Sequence, residues 1–539
     1  MTTSLRDRVA AKAEARRWWI LIVLCFGLLV IVLDNSILNV AIPTIVRDLD
    51  ATNSQLQWIV DAYTIVFAGL LLTAGSLGDR FGRRPALQFG FVIFGLGSIA
   101  AALASTADQL IATRAFMGIG GAFIMPATLS IITNVFPAGE RGKAIGVWAA
   151  TAGVGVALGP LTGGFLLEHF YWGSIFLVNI PIVIVGIIAG VFLIPDSKDP
   201  NPSRLDPVGA VLSIAGLGTL LYAVIEGPSK GWTASSTLTF FFVGGVLTAA
   251  FFVWEIRSDH PMLDLRFFEN PRFSVASGAI AVTFFAMFGS IFLLTQYFQF
   301  VLGYSPLETG VRLLAFAIPM MLLAPLSAKF VELLGTKFVV VTGLGLITTG
   351  LALSTGLTAS SSYFDIAWRM MIMASGMALT MAPATTAIMG SLPLAKAGVG
   401  SAVNDTTRQI GGAVGVAVLG SVFASIYGSQ VGDAVVGKGL PPAAVAGAKD
   451  SLGFALVVGD RIGGVAGEAF ATAARSAFVD GFHAGLWVGA GAALLGAIAA
   501  LLWLPARARP EDEESQAAEF DVEHAAPERP VVPEPVGAP

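Results

Sequence analysis

The sequence predicts an all-α integral membrane protein of about fourteen spanning helices. Three observations predict it. The first is composition: of 539 residues, 55% are hydrophobic and only 12% charged, with a mean hydropathy of +0.78. A soluble domain carries about 25% charged residues, so this chain cannot cover a water-facing surface. The second is segmentation into apolar runs. A spanning helix needs about 20 mostly apolar residues, and residues 18–42, 56–77, 86–104, 109–134, 142–168, 173–194, 206–226, 237–256, 272–301, 309–333, 337–357, 365–390, 398–427 and 484–504 qualify. The third is charge asymmetry between alternate connections. With the N-terminus inside, about 21 lysines and arginines fall on inner segments, whereas Lys230, Lys438, Lys449, Arg461 and Arg475 fall outside. Arg47, Arg114, Arg312, Arg369 and Arg408 lie at or within helices. Translocating cations is disfavoured, so the expected topology has both termini cytoplasmic, in a cell (inner or plasma) membrane.

The first run begins at Trp18, after Arg6, Arg8, Lys12, Arg16 and Arg17. A signal peptide has such a basic head, but this run is of full membrane length, lacks a small-residue cleavage site and carries Asp34. It reads as the first spanning helix behind a cytoplasmic N-terminus, residues 1–17. The second and third runs are joined by GSLGDRFGRRPAL, residues 75–87, which packs Asp79, Arg80, Arg83 and Arg84 within six residues around glycines Gly78 and Gly82. Glycine lets a backbone turn tightly, and so basic a short loop belongs on the inside. The stretch LSAKFVELLGTKFV, residues 326–339, occupies a similar place later. Aligning Gly335 with Gly82 sets Glu332 on Asp79 and Lys337 on Arg84, as a six-helix unit repeated with a decayed second copy would.

Between the last two runs, residues 429–480 are rich in small residues, and Pro441 and Pro442 are placed to start a helix. One or two amphipathic helices are expected there, on the outer surface. After Pro505 the chain holds nine acids and three arginines, so the formal charge of −5 says nothing about an acidic partner surface. That tail, residues 505–539, is expected to be disordered. The single cysteine, Cys25, allows no disulfide within the chain. No G-x-x-x-x-G-K-[ST] motif supports ATP-driven transport, and four scattered histidines make no recognisable metal site. No cofactor, metal or nucleic-acid partner is expected.

Ionisable groups inside a bilayer are costly, so each is a functional candidate. Asp34 leads, in VLDNSILNVAIP beside Asn35, Ser36 and Asn39. Low dielectric disfavours a charged carboxyl, so Asp34 can exchange a proton; the alternative is a hydrogen bond to a neighbouring helix. Asp61, in QWIVDAYT with Trp58, either lines the outer mouth or sits at the wet interface. Arg114, in LIATRAFMGIGG, cannot shed its charge and needs an anionic partner, for which Asp34 or a backbone carbonyl would serve. Asp405 and Arg408, in NDTTRQIGG with Asn404, form either a self-satisfied helix pair or part of a pathway.

In GVGVALGPLTGG, Gly155, Gly159 and Gly163 recur every fourth residue and form one smooth face, with Pro160 beside it. Small residues let helix backbones approach, as ordinary packing or as a moving seam between bundles. Six of the thirteen methionines, Met377 and Met381 among them, lie in residues 365–390. Residues 272–301 are rich in aromatics, including Phe288 and Phe292. Such side chains suit a pocket for varied apolar ligands, or face lipid and other helices.

These segments together resemble the major facilitator superfamily, and within it the fourteen-helix drug:proton antiporters. GSLGDRFGRR is similar to that superfamily's signature between helices 2 and 3. LIATRAFMGIGGA resembles its helix-4 motif, with Arg114 as the motif arginine, and GVGVALGPLTGG its antiporter motif. LDNSILNVAIP resembles the antiporters' helix-1 signature, with Ser36 where Thr is usual. WGSIFLVNIPI and NDTTRQIGG are also similar to that family, although Gly173 replaces a commonly basic residue. The likeness spans about residues 18–505.

The resemblance implies six-helix bundles at 18–194 and 272–504, with 195–271 carrying two extra helices between them. It implies alternating access around a midplane site, with a monomer working in the lipid bilayer on protons and a small-molecule substrate. Proton coupling would fall to Asp34, Arg114, Asp61 and Asp405. Substrate contact would fall to Asn39, Trp58, Phe288, Phe292, Met377, Met381 and Asn404. Gating would fall to Asp79, Arg80, Arg83, Arg84, Gly155, Gly159, Pro160, Gly163 and Arg408. The implied activity is proton-coupled efflux of amphipathic or cationic drug-like molecules. A dedicated exporter of a lipid, sugar or secondary metabolite is the alternative on the same fold. A membrane sensor or scaffold using the acidic tail is a third, and none of the three readings is enzymatic.

Overall fold

A computed structural model describes residues 5–49, 53–198, 206–258, 261, 263–435 and 440–507. The acidic tail beyond Arg507 lies outside the described residues. Among the described residues every regular element is helical, and fourteen helices are long and apolar enough to cross a membrane. The first half comprises α1 (Leu5–Leu49), α2 (Asn53–Phe81), α3 (Arg83–Ala102), α4 (Ala107–Val135), α5 (Ala138–His169), the short α6 (Ser174–Leu177) and α7 (Asn179–Leu193). A pair follows, α8 (Pro207–Lys230) and α9 (Ser235–Arg257). The second half comprises α10 (Pro271–Gln296), α11 (Pro306–Leu334), α12 (Thr336–Ser354), α13 (Tyr363–Met389), α14 (Ala397–Ala434), α15 (Pro442–Asp450), α16 (Leu452–Ile462) and α17 (Gly464–Trp503).

Local sequence sets many of the boundaries. The first backbone N–H groups of a helix lack partners and are satisfied by short polar side chains. Thr106 accepts from the Gln109 amide, Asp206 from that of Gly209 and Ser362 from that of Asp365. At α11, Ser305 and Glu308 form a reciprocal capping box at 3.1 and 2.9 Å. α14 and α17 overrun the apolar runs that mark them, as α1 does with 45 residues. α14 has 38 residues and α17 has 40; at 1.5 Å per residue each is about twice as long as a hydrocarbon core of ~30 Å. Alanine, glycine and serine prolong these two helices without raising hydropathy. With α15 and α16 they build a helical cap at the end opposite the 82–83 turn, where Tyr427 donates to the Ala448 carbonyl at 2.9 Å.

The two halves are built to one pattern. Gly82 and Gly335 both take positive φ, +118° and +84°, a conformation that favours glycine. The amide after each is held by the carbonyl that ends its half: Arg83 N–H to Ser197 at 2.9 Å, and Thr336 N–H to Ala506 at 2.8 Å. Glycine contacts inside each half also match. Gly97 lies against Met117 as Gly350 lies against Met373, and Gly120 against Gly90 as Gly376 against Gly343. Gly155 and Gly159 press on Val32 and Ser36 of α1 as Gly411 and Gly415 press on Ala281 and Phe285 of α10. The Gly155–Gly159–Gly163 face therefore packs within its own half, against α1, rather than between bundles. The side chain of Pro160 lies outside the described residues.

The seam between halves runs elsewhere. α2 meets α14 where a Cβ on Gly75 would lie 2.5 Å from the Gly398 carbonyl, and α5 meets α11 where one on Gly146 would lie 2.5 Å from the Ala324 carbonyl. Both crossings are at the end of the bundle that carries the 82–83 turn, so the halves are closed together there. Because the α1–α5 contact is duplicated as α10–α14, it reads as scaffold. Gly159→Leu and Gly415→Leu are each expected to destabilise the folded protein, by about 1–3 kcal/mol as overpacking does. Matched falls in melting temperature in detergent would show this. An unchanged melting temperature with slowed transport in Gly159→Leu alone would instead identify a moving seam.

Candidate functional site

The most deeply buried ion pair lies in the first half. Arg114 of α4 is 0% exposed and Asp34 of α1 is 2% exposed. The Arg114 guanidinium donates through Nη1 to Asp34, through Nε to the Ile59 carbonyl of α2 at 3.1 Å, and through Nη2 to Asn35 at 3.3 Å. Its face lies 4.4 Å from the Tyr63 ring centre. The second carboxylate oxygen of Asp34 accepts from the Asn179 amide of α7 at 2.9 Å, and Asn179 also reaches Ser98 of α3 at 3.3 Å. Five helices thus converge on one ion pair. Arginine suits this place because its rigid fork serves several acceptors at once.

Asp61, two residues after Ile59 and so on the other side of α2, is half-buried, and Trp58 nearby lies 5.6 Å from Tyr222 of α8. On α8, Glu226 pairs with Lys230 at 3.2 Å, and the Lys230 amine donates to the Tyr222 hydroxyl at 2.8 Å. The inserted helix α8 therefore brings charges to the end of α2 away from the 82–83 turn. Asn39 has its side chain outside the described residues.

At the opposite end, Asp79 reaches across the seam. Its carboxylate accepts from the backbone amides of Gly398 and Val399 at 2.9 and 3.1 Å, in the first turn of α14. A helix N-terminus carries a partial positive charge and free N–H groups, so an anion there is stabilised. Arg83 braces the latch, donating to Asp79 at 3.1 Å and to the Leu394 carbonyl at 2.5 Å. Arg84 instead ties the turn to Asp196 at 2.7 Å, and Arg80 stacks toward Phe81 at 5.7 Å. Glu332, the aligned position in the second half, is exposed, so the latch occurs on one side of the seam.

A second buried cluster lies in α14. Asp405 and Arg408 are 1% and 5% exposed and pair at 3.4 Å. Arg408 donates to Thr385 at 3.1 Å, Thr385 to Asn404 at 3.2 Å, and Asn404 to Asp405 at 3.4 Å. The guanidinium sits 5.0 Å from the ring of Trp148, in the first half, and 5.4 Å from that of Phe284, in the second.

Met377 and Met381 are 1% and 3% exposed, in the core of the second half. Phe288 and Phe292 border α14 at Gly412 and Gly420 within their half and are 38% and 42% exposed. Asn179, Tyr63, Trp148 and Thr385 belong to the two networks and are not among the residues singled out from the sequence. Only Asn179 leaves a signal there, as a lone amide in the apolar run VNIPIVIV.

The profile of the Major Facilitator Superfamily matches residues 24–416. The chain belongs to that superfamily. It is 36% identical over 472 residues to the multidrug efflux pump LfrA of Mycolicibacterium smegmatis, covering 87% of this chain and 93% of the pump. It is 34% identical over 473 residues to the methyl viologen resistance protein SmvA of Salmonella typhimurium, covering 86% and 93%. It is 30% identical over 519 residues to the tetracenomycin C resistance and export protein of Streptomyces glaucescens, covering 95% and 96%. Among solved structures, the human organic anion transporter MFSD10 matches with a TM-score of 0.59 at 14% identity, covering 90% of this chain and 99% of that one. The proton:xylose symporter XylE matches with 0.58 at 15%, covering 90% and 95%. The fold of this superfamily member is thus that of its solved transporters.

The latch yields a direct test. Asp79→Asn removes the charge that caps α14, and a hydrogen bond to a charged group contributes about 1.5–3 kcal/mol. Ser401, buried one turn above the latch, is replaced by cysteine in a Cys25→Ser background. A membrane-impermeant maleimide applied from the latch side should label it roughly tenfold faster when Asp79 is Asn. An unchanged rate would show that Asp79 does not hold this end closed.

Proposed function

We propose that this transporter exports amphipathic or cationic drug-like molecules in exchange for protons, by alternating access. The observation that carries the reading is the Asp34–Arg114 pair: one carboxylate and one guanidinium, fully buried inside a many-helix membrane bundle and held by four further helix contacts. The efflux and resistance names of its relatives support the same cargo class. The working unit is a monomer of two bundles, 18–194 and 272–504, with α8 and α9 between them. Both termini and the Asp79 latch lie on the cytoplasmic side of the cell membrane.

The geometry supports the following coupling. A proton reaching Asp34 from outside cancels its charge and leaves Arg114 with only neutral acceptors. Breaking one partner of a buried pair costs about 3–5 kcal/mol. Inverting a two-state equilibrium from 1:99 to 99:1 needs about 5.5 kcal/mol, so one protonation supplies most of that shift. The bundles rock, the Asp79–Gly398 latch parts, and the interior opens to the cytoplasm. Substrate binding displaces the proton, the ion pair re-forms, and the carrier returns outward with its cargo. Asp61 and Asp405 are the further carboxyls on this route, and Arg80, Arg83 and Arg84 modulate the latch.

Proteoliposomes loaded with ethidium provide the test. Wild-type efflux should accelerate when the medium on the substrate-receiving side is acidified, and Asp34→Asn should abolish the response while retaining leak-level movement. Gradient-driven efflux by Asp34→Asn at wild-type rate would refute the proton role. A second reading, a dedicated exporter, is favoured by the long match to the tetracenomycin C export protein. Transport confined to one compound across a chemically varied panel would establish it.

A further inference from the structure

We infer that Asp405, Trp148 and Phe284 form a subsite for a flat, delocalised organic cation, and that Arg408 is its resident occupant in this inner-closed state. The inference deepens the efflux reading and rests on it. A carboxylate beside two aromatic faces is the chemistry that holds an organic cation. Here the seat is filled from within: the Arg408 guanidinium lies over both the Trp148 and Phe284 rings, 5.0 and 5.4 Å away, with Asp405 at 3.4 Å.

Two observations mark this seat as one that changes tenant. Arg408 is held more loosely than the other buried arginines. Arg114 and Arg83 each donate to a backbone carbonyl as well as to a carboxylate. For Arg408 the bonds within the cluster go to side chains, its ion pair being 3.4 Å long. The surroundings also hold polar atoms with no hydrogen-bond partner, namely Trp148 Nε1, Ser401 Oγ, Asp405 Oδ2, Thr406 Oγ1 and Arg408 Nε. Buried polar atoms are nearly always paired, so such a concentration marks a place that a ligand or water completes in another state.

The seat also straddles the seam. Trp148 belongs to the first half, and Asp405, Arg408 and Phe284 to the second. As the halves begin to part at this end, the seat loosens and Arg408 can swing aside on its flexible stem, leaving both rings free. A planar cation then stacks on the rings and faces Asp405, replacing one positive charge by another, so the cluster's net charge stays constant throughout.

Ethidium binding to the full-length protein in nanodiscs, followed by fluorescence anisotropy, tests the idea. With its internal competitor removed, Arg408→Gln should bind ethidium roughly tenfold more tightly, because a site blocked most of the time loses affinity in proportion. Asp405→Asn should bind at least tenfold more weakly. Arg408→Gln leaves Asp405 without its partner and risks misfolding, so Trp148→Leu supplies an independent arm that alters no charge. It should weaken binding several-fold, with Trp148→Phe restoring it. Arg408→Gln binding no tighter than wild type, or Trp148→Leu and Asp405→Asn binding normally, would overturn the inference while wild-type ethidium efflux left the efflux reading standing. Absence of both binding and efflux in the wild type would overturn the two together.

Discussion

A guanidinium keeps its proton under physiological conditions, so every arginine folded into this bundle must be met by an acceptor. Arg114 shows how much structure that demand organises. Its three bonded partners come from α1 and α2, its stacking partner is Tyr63, and the carboxylate it faces is shared with Asn179 of α7. Arg83 meets the same demand beside the 82–83 turn by bonding across the seam to Leu394, and Arg408 meets it about three turns into α14 with a carboxylate and two rings. The pairs differ in how completely they are satisfied. The fully satisfied Asp34–Arg114 pair lies inside the first half, and the loosely held one sits where the halves meet.

The repeated scaffold carries unlike charges. Carrying the register from Ser36 against Gly159 to Phe285 against Gly415 places Thr283 where the first half has Asp34. Carrying it from Met117 to Met373 places Met370 where the first half has Arg114, and Met370 there helps line a small apolar pocket. In the reverse direction, Ala149 and Ala152 of α5 stand where α14 has Asp405 and Arg408. Backbone crossings, made by glycine, are retained in both copies, whereas each ion pair occurs in one. A symmetrical frame with asymmetrical charge can rock as two similar bodies while only the first half carries the Asp34–Arg114 pair.

Much of this was legible in the sequence, for identifiable reasons. Fourteen spans follow from apolar length, because a bilayer imposes a thickness that any spanning helix must match. The correspondence of Gly335 with Gly82 was readable because a positive φ constrains residue type. The outer extensions of α14 and α17 were not, since alanine-rich helix outside the membrane has no hydropathy signature. The glycine face of α5 was visible, but its partner was not: a smooth face shows that something packs closely, not which helix does. Met377 and Met381 misled similarly, because flexible apolar side chains fill a core as readily as a pocket. Trp148 and Thr385 gave no signal, since a tryptophan or threonine in a spanning run becomes informative only beside the charge it meets.

α14 joins these features into one device. Its first turn is capped by Asp79 from the other half, and seven and ten residues beyond Gly398, about 10 and 15 Å at helical rise, stand Asp405 and Arg408. Its glycines, Gly411 and Gly415, fix its middle against α10. A helix held so firmly within its own half transmits motion as a rod. On the proposed reading, parting the latch at Gly398 carries Arg408 away from Trp148 in the same movement, so that end cannot open without disturbing the aromatic seat, and a ligand that stabilises Arg408 outside that seat favours the open end. Opening at the latch end and exchange of the buried cation are then one conformational event, coupled by the stiffness of a single helix.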